Sequence, residues 1–337
     1  MFEGWKQNPD EAVKDMLAIP KELSSHLSKV EGTLATCLEK DPPLFRDMLK
    51  YVLLSGGKRL RPALALLGYF STGGAGPEEV LDYAAAMELL HTASIIHEDI
   101  IEGSPLRRGT LTVAGKFGSS NAMIGGDYFI VKATSMITRY GLPLVRDVLS
   151  SIMLSAEGIA EETLNSYRPD VGENQYIEYI TKKVSSLISQ SVAGGAMISG
   201  ADEKMVQCLR EYGLNLGLVH QLSADILDIA SSSLISKPPG SNIREGRLTL
   251  PVIYAIREIE EGDKQYLQDV FSGKKELSDS EVGRIIGLIK QTRAAEKTKA
   301  VIGGYIEKAL NSIKPLPETE WKKHLMNIVY MIASREV

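Results

Sequence analysis

Three acidic side chains crowd one turn of the segment His97-Glu98-Asp99-Ile100-Ile101-Glu102. At 3.6 residues per helical turn, Glu98 and Glu102 project from one helix face, with Asp99 beside them. On a solvent-exposed helix such crowding is common and has no function. Here isoleucines surround the acids, and like charges in apolar sequence repel strongly unless a cation is bound between them. Carboxylate oxygens suit Mg²⁺, which takes its other ligands from water and phosphate, so this segment predicts a Mg²⁺ site.

Basic side chains at two turns are candidates for binding phosphate. Arg107 and Arg108 follow the acids closely, and guanidinium groups bind phosphate oxygens in bidentate fashion. Lys58 and Arg61 form a second pair at a Gly-rich turn, where the backbone can approach an anion. Basic residues at turns are usually solvated, so the second pair alone is a weak signal. Together with the acids, however, the cations indicate a phosphate-binding site beside the metal site.

A second acidic pair lies further along the chain. Asp225 and Asp228 are three residues apart on one predicted helix face, again within apolar sequence.

The elements that position these residues are predicted to be helices. Apolar residues recur at helical spacing through most of the chain, and Gly and Pro clusters separate segments of helix length. No strands alternate with the helices as a doubly wound sheet requires. The pattern predicts an all-α bundle of roughly ten helices in a single domain over residues 1–337.

Composition and charge exclude several classes of protein. The chain is 44% hydrophobic and 24% charged, which is ordinary for a globular protein. Its net charge is -5 and it has no long Lys or Arg block, so we expect no nucleic-acid partner. No basic, apolar leader and no apolar run of about 20 residues is present, which predicts a cytoplasmic protein without stable membrane insertion. The Gly-rich stretches match neither a P-loop nor a dinucleotide fingerprint.

Seven segments in order resemble the trans-polyprenyl diphosphate synthase family: GGKRLRP, ELLH, HEDIIEGSPLRRG, GDYF, KKVSSLI, HQLSADILD and REGRLTLP. The resemblance runs from about Leu54 to Ile256 and implies the all-α isoprenoid synthase fold. In that family two acidic helices face each other across a central cavity and hold Mg²⁺ ions that bind the diphosphate of an allylic substrate. Isopentenyl diphosphate binds alongside, and homodimers are expected.

The resemblance assigns a role to each matching residue. The isopentenyl diphosphate contacts are Lys58, Arg61, His91 and Arg108. The contacts around the allylic diphosphate are Arg107, Lys183, Gln221 and Lys237. The first acidic motif is Glu98, Asp99 and Glu102, and the second acidic motif is Asp225 and Asp228.

Both acidic motifs depart from the family pattern. The first reads EDxxE instead of DDxxD, which keeps carboxylate oxygens available at slightly longer reach. The second reads ADxxD, and the methyl group of Ala224 cannot bind a metal ion. Further departures are Val184, His220, Asn242 and Arg247.

The implied function is condensation of isopentenyl diphosphate with an allylic diphosphate. Ala93 and Ser94, one turn before Glu98, have small side chains that would not block a growing product, which predicts a geranylgeranyl or longer product. The same small residues could equally allow two helices to pack closely.

A catalytically weak subunit that partners an active homologue is an alternative function, because Ala224 replaces a metal-binding acid of the family pattern. A terpene cyclase on the same fold is a third reading, against which Lys58, Arg61 and His91 argue because a cyclase binds no isopentenyl diphosphate.

Overall fold

A computed structural model describes residues 21–107, 109–230, 239–273 and 276–334. These residues are almost entirely α-helical, so the predicted all-α class is confirmed. The helices outnumber the roughly ten expected, because short turns divide several of the predicted segments. In chain order they are α1 Lys21–Thr36, α2 Pro43–Leu54, α3 Leu60–Ser71, α4 Leu81–Ile101, α5 Val113–Phe117, α6 Ser119–Ile137, α7 Leu142–Asn165, α8 Glu173–Ile180, α9 Ser186–Ile198, α10 Glu203–Ala230, α11 Ser241–Arg244, α12 Leu250–Glu258, α13 Glu261–Ser272, α14 Asp279–Lys290, α15 Ala294–Ser312 and α16 Glu320–Ala333.

A few short elements complete the described chain. Strands β1 (Leu106–Arg107) and β2 (Thr110–Leu111) form an antiparallel hairpin after α4, in which Leu106 pairs with Leu111 and Arg107 with Thr110. A π-helical turn, Thr181–Ser185, joins α8 to α9. Such turns are rare and occur often at functional sites.

The helices divide into two compact units. The first unit comprises the described parts of Met1–Ser150 with Gln190–Arg210 and Pro315–Leu325. The second unit comprises Ser151–Ser189, Glu211–Lys314 and the described part of Met326–Val337. The single domain over residues 1–337 stays a prediction.

In the first unit, α4 is the central helix. It packs against α6, α3 and α1, and its middle, from Tyr83 to Leu90, is buried on every side. A helix that is apolar all round belongs in a core, which explains why α4 shows no clear polar face until its last turns. The hydroxyl of Tyr83 donates to the carbonyl of Gln190 at 2.6 Å and so ties α4 to α9.

Two glycines let α3 and α9 approach closely within the first unit. A Cβ at Gly68 would overlap the carbonyl oxygen of Val192, and a Cβ at Gly195 would overlap that of Ala65. The backbones are therefore in direct contact, and this contact fixes the direction in which α3, with Arg61 in its first turn, leaves the turn that carries Lys58.

In the second unit, α12 is a buried helix. It contacts α15, α13, α14 and α8, and its residues Leu250 to Ile256 are buried. None of the described helices is both long enough and apolar enough to cross a membrane.

We expect the substitution Gly68→Ala to destabilise the protein by about 2 kcal/mol, because a methyl group at this position forces two backbones apart. Gly32→Ala is the control. Gly32 lies in α1, and a methyl group there would meet no other heavy atom within 4 Å, so this substitution should stabilise the protein slightly. Urea unfolding measures both changes. Equal midpoints for the two variants would contradict the close contact between α3 and α9.

Candidate functional site

The first acidic motif lies at the C-terminal end of α4. Glu98 and Asp99 occupy the last turn, and Glu102 caps the helix with its backbone N–H bonded to the carbonyl of Glu98. Asp99 is only 3% exposed, and its Oδ1 accepts a hydrogen bond from Nε of Arg107 at 2.8 Å. The structure thus brings the first motif and one predicted diphosphate-binding cation together.

The β1–β2 hairpin holds Arg107 over the end of α4. Gly103 and Gly109 adopt positive φ angles of 62° and 75°, which only glycine adopts without strain, and so allow the chain to reverse twice. The hydroxyl of Tyr51 donates to the carbonyl of Leu111 at 2.6 Å and anchors β2 to α2. Arg108, the next residue in the sequence, lies outside the described residues.

Arg61, in the first turn of α3, is the most unusual cation of the first unit. Its Nε is buried and has no hydrogen-bond partner among the described residues. Burial lowers the pKa of Arg61 to about 10, while the negative charges of Glu88 and Glu98 partly oppose that shift. Buried guanidinium donors are costly unless an acceptor reaches them. An anionic ligand would supply that acceptor.

Two other residues are predicted to contact isopentenyl diphosphate, one on the turn before α3 and one on α4. Lys58 is exposed on the turn before α3, and His91 is half-buried on α4. Glu88, His91 and Glu98 follow one another at spacings of three and seven, which places them on one face of α4. Glu88 was missed by the sequence reasoning; an acid within the apolar run from Ala84 to Leu90 was the available signal.

In the second unit, Lys183 lies on the π-helical turn. A Cβ at Gly158 of α7 would overlap the backbone of Lys183, and a Cβ at Gly217 of α10 would overlap Ser185. Oγ of Ser155 donates to the carbonyl of Lys183 at 3.0 Å. The irregular turn is thus enclosed by two helices that approach it through glycines, so the position of Lys183 is fixed by packing.

Glu162 of α7 is the acid around which the cations of the second unit gather. Nζ of Lys183 lies 2.6 Å from Oε2 of Glu162, and Nε of Arg247 lies 3.6 Å from the same oxygen. The Lys183 and Glu162 side chains are almost fully buried. Sequence reasoning missed Glu162, which matches no motif; its burial alone reveals its role.

The second acidic motif is already hydrogen-bonded within the protein. Asp225 is fully buried; Tyr176 donates to its Oδ2, and Gln221 donates to its Oδ1 at 2.9 Å. Burial raises the pKa of Asp225 to about 8. The hydrogen bonds from Tyr176 and Gln221 lower this pKa in part, whereas the negative charges of Asp228 and Glu162 raise it further.

Asp228 caps a short helix. It accepts hydrogen bonds from the backbone N–H and the hydroxyl of Ser241, at 3.0 and 2.9 Å, and from the backbone N–H of Asn242 at 3.1 Å. Negative charge at a helix N-terminus is favourable, and Asp is a preferred capping residue. Asp228 therefore fixes the start of α11 after the segment 231–238, which lies outside the described residues together with Lys237.

The residues of the first motif fit a Mg²⁺ ion that takes most of its ligands from water and phosphate. Among the described residues, no group of three or more His, Cys, Asp or Glu side chains could hold a metal ion by itself. Mg²⁺ needs only one or two carboxylates when phosphate oxygens complete its coordination. Glu98 and Glu102, half-buried and one turn apart, provide such a pair.

The sequence model of the polyprenyl synthetase family matches residues 42–289, which is most of the chain. The chain belongs to the polyprenyl synthetase family. The resemblance seen in the seven sequence segments is therefore confirmed, and so is the isoprenoid synthase type of all-α fold.

Curated members of the polyprenyl synthetase family resemble this chain over nearly its full length. The heptaprenyl diphosphate synthase component 2 of Geobacillus stearothermophilus is 31% identical over 316 residues, covering 93% of this chain and 97% of that protein. A short chain isoprenyl diphosphate synthase of Methanothermobacter thermautotrophicus is 33% identical over 294 residues, covering 85% and 89%.

Among solved structures, the polyprenyl synthase of Caulobacter crescentus CB15, complexed with calcium and isoprenyl diphosphate, superposes with a TM-score of 0.90. It is 25% identical, and the match covers 98% of each chain. The heptaprenyl diphosphate synthase of Staphylococcus aureus superposes with a TM-score of 0.87 at 26% identity, covering 94% of this chain and 99% of that one.

Replacing Glu162 by Gln should cost roughly 3 kcal/mol of unfolding free energy, because it leaves Lys183 buried without its carboxylate. Glu161→Gln is the matched control on the neighbouring residue. Glu161 pairs with Lys182 at 2.6 Å but is about one third exposed, so its loss should cost less than about 1 kcal/mol. Chemical denaturation measures the free energy of unfolding of both variants. Similar losses of unfolding free energy in the two variants would show that Glu162 does not stabilise a buried cation.

Proposed function

We propose that this member of the polyprenyl synthetase family is a prenyltransferase that condenses isopentenyl diphosphate with an allylic diphosphate. The observation that carries the proposal is the buried Nε of Arg61, which has no hydrogen-bond partner among the described residues. A diphosphate oxygen would accept the missing hydrogen bond. The relatives named above as heptaprenyl and short chain isoprenyl diphosphate synthases support the same substrate class.

The residues divide between the two diphosphates as the family pattern implies. Lys58, Arg61, His91 and Arg108 would bind isopentenyl diphosphate, and Arg107, Lys183, Gln221 and Lys237 would surround the allylic diphosphate. The hydrogen bond between Arg107 and Asp99 supports this division, since it leaves further guanidinium donors of Arg107 for phosphate.

In the reaction, the bond between the allylic carbon and its diphosphate breaks first. The double bond of isopentenyl diphosphate then attacks the resulting cation, and a proton leaves the new product. Arg107 and Lys183 would stabilise the charge that develops on the departing diphosphate, which is the largest kind of contribution in such sites. Mg²⁺, held by Glu98, Glu102 and the neighbouring Asp99, would supply further neutralisation of that charge.

The role of the second acidic motif in metal binding stays a prediction. Asp225 would have to give up its bonds with Tyr176 and Gln221 in order to bind a metal ion, and Asp228 would have to release the start of α11. Ala224, the residue directly before Asp225 on the same helix, is exposed. A carboxylate at that position could reach a ligand without disturbing the core.

A geranylgeranyl or longer product is proposed from the residues below the first motif. Ala93 is buried and Ser94 half-buried, and neither would block a growing chain. Leu90 and Met87, both buried on the same helix, are the next larger side chains.

We propose that the protein acts as a homodimer. Helix α6 exposes Met123, Ile124 and Val131, each more than half accessible, on one side of the first unit. A row of exposed apolar side chains on one helix is typical of a surface that another chain covers.

A second candidate function is that of a weakly active subunit working with an active homologue. The loss of a carboxylate at Ala224 favours it, and the first relative named above is a component of a heptaprenyl diphosphate synthase. Purified protein with Mg²⁺, labelled isopentenyl diphosphate and allylic primers of increasing length separates the two. Elongation by the protein alone supports the first function; turnover only with a partner chain supports the second.

Restoring the acid by Ala224→Asp should raise kcat for elongation by about tenfold or more, because a further carboxylate could help to bind Mg²⁺. The exposed position makes a large stability effect unexpected. Ala230→Asp, at an exposed position of the same helix, is the control and should leave the rate unchanged. A rate that does not rise in the Ala224→Asp variant would show that the missing acid does not limit catalysis.

A further inference from the structure

Arg59 has an unusual backbone conformation directly between two of the predicted isopentenyl diphosphate contacts, Lys58 and Arg61. Its φ of 45° and ψ of 35° place it in the left-handed region, at the N-cap of α3. A side chain other than glycine is strained there, and such strain persists only where surrounding contacts enforce it. Contacts of its side chain must therefore hold Arg59 in place.

The guanidinium of Arg59 is held by two carboxylates from different helices. Its Nε and Nη2 donate to both oxygens of Glu31 on α1, the Nη2 bond being 3.5 Å long. Its Nη1 donates to Oε1 of Glu88 on α4 at 3.1 Å, and Nη2 also reaches the carbonyl of Leu53 at 3.4 Å.

This network is largely removed from water. The side chains of Arg59 and Glu88 are 10% and 6% exposed, and that of Glu31 is 21% exposed. The paired charges also raise the pKa of Arg59: burial lowers it, but Glu88 and Glu31 more than offset that effect. A two-carboxylate arrangement of this kind has a fixed geometry, because the planar guanidinium fork matches only one orientation of each acid.

Glu88 links this network to Arg61. One of its oxygens accepts from Arg59, while Oε2 is buried without a hydrogen-bond partner among the described residues. The charge of Glu88 acts on the guanidinium of Arg61, as does that of Glu98. Arg59 therefore fixes the carboxylate whose charge acts on Arg61. It also fixes the backbone turn that carries Lys58 and leads into the first turn of α3, where Arg61 lies.

We propose that Arg59 and Glu31 are positioning residues for isopentenyl diphosphate: the Glu31–Arg59–Glu88 network holds the turn before α3 in the strained conformation that presents Lys58 and Arg61 to the diphosphate. The inference rests on the proposed function. Neither Arg59 nor Glu31 touches the ligand in this account. Releasing Arg59 would let its backbone leave the left-handed region, and the cations on either side would then lose their common orientation.

The variant Glu31→Gln tests the proposal, because it removes the charge of the more exposed acid and leaves Glu88 in place. Calorimetric titration with isopentenyl diphosphate should show a Kd about tenfold higher than in the unmodified protein, since small misplacements of binding groups are costly. In elongation assays KM for isopentenyl diphosphate should rise by a similar factor, with a smaller change in kcat. The conservative variant Glu31→Asp keeps a carboxylate and should recover most of the affinity.

Glu78→Gln is the matched control. Glu78 forms an ion pair at 2.8 Å with Lys29, which lies on the same helix as Glu31. The side chains of Glu78 and Lys29 are both exposed. Its loss should leave the Kd unchanged. A Kd for Glu31→Gln equal to that of Glu78→Gln, in protein shown to be folded, would mean that the network is only structural and would overturn the proposal.

The same titration separates this proposal from the proposed function. If the unmodified protein binds isopentenyl diphosphate and only Glu31→Gln binds it weakly, both stand. If the unmodified protein binds and Glu31→Gln binds equally well, the positioning role alone fails. If the unmodified protein does not bind isopentenyl diphosphate at all, the proposed function fails and the positioning role fails with it.

Discussion

A cation buried among helices must be matched by negative charge, and that requirement organises both units of this protein. Arg59 meets it with Glu31 and Glu88, and Lys183 meets it with Glu162. Arg61 meets it only in part, because its Nε has no acceptor among the described residues. In the first unit, the acids that surround Arg61 and Arg107 belong to one helix, α4. The same helix therefore supplies both the counter-charges for these cations and the first acidic motif.

The local structure serves to place these charges. Glycines at 158 and 217 let two helices enclose the π-helical turn that carries Lys183. Glycines at 103 and 109 allow the hairpin to bring Arg107 back to Asp99. A left-handed Arg59 directs the turn between Lys58 and Arg61. Each of these three features adjoins a predicted phosphate-binding residue, and of the three the left-handed Arg59 carries backbone strain.

Sequence reasoning predicted much of the fold, because helical periodicity and the order of seven motifs are properties of the sequence itself. It also predicted that Asp99 and Arg107 belong to one site, since they are eight residues apart on either side of a Gly-Ser-Pro turn. It could not predict Glu31, Glu88 or Glu162 as partners of cations. Glu31 and Glu162 are distant in sequence from Arg59 and Lys183, and only the packing of helices brings them together. Nor could it reveal that Asp225 accepts a hydrogen bond from Tyr176 and that Asp228 caps the start of α11.

The central proposal is that the buried Nε–H of Arg61 donates a hydrogen bond to an oxygen of the bound diphosphate. NMR of protein labelled with ¹⁵N-arginine tests it directly, with the Arg61 resonance assigned through Arg61→Lys and the exposed Arg46 as reference. The account predicts that the Nε–H signal of Arg61 shifts and saturates as isopentenyl diphosphate is added, while that of Arg46 does not. A signal from Arg61 that stays unchanged at saturating ligand would contradict the account.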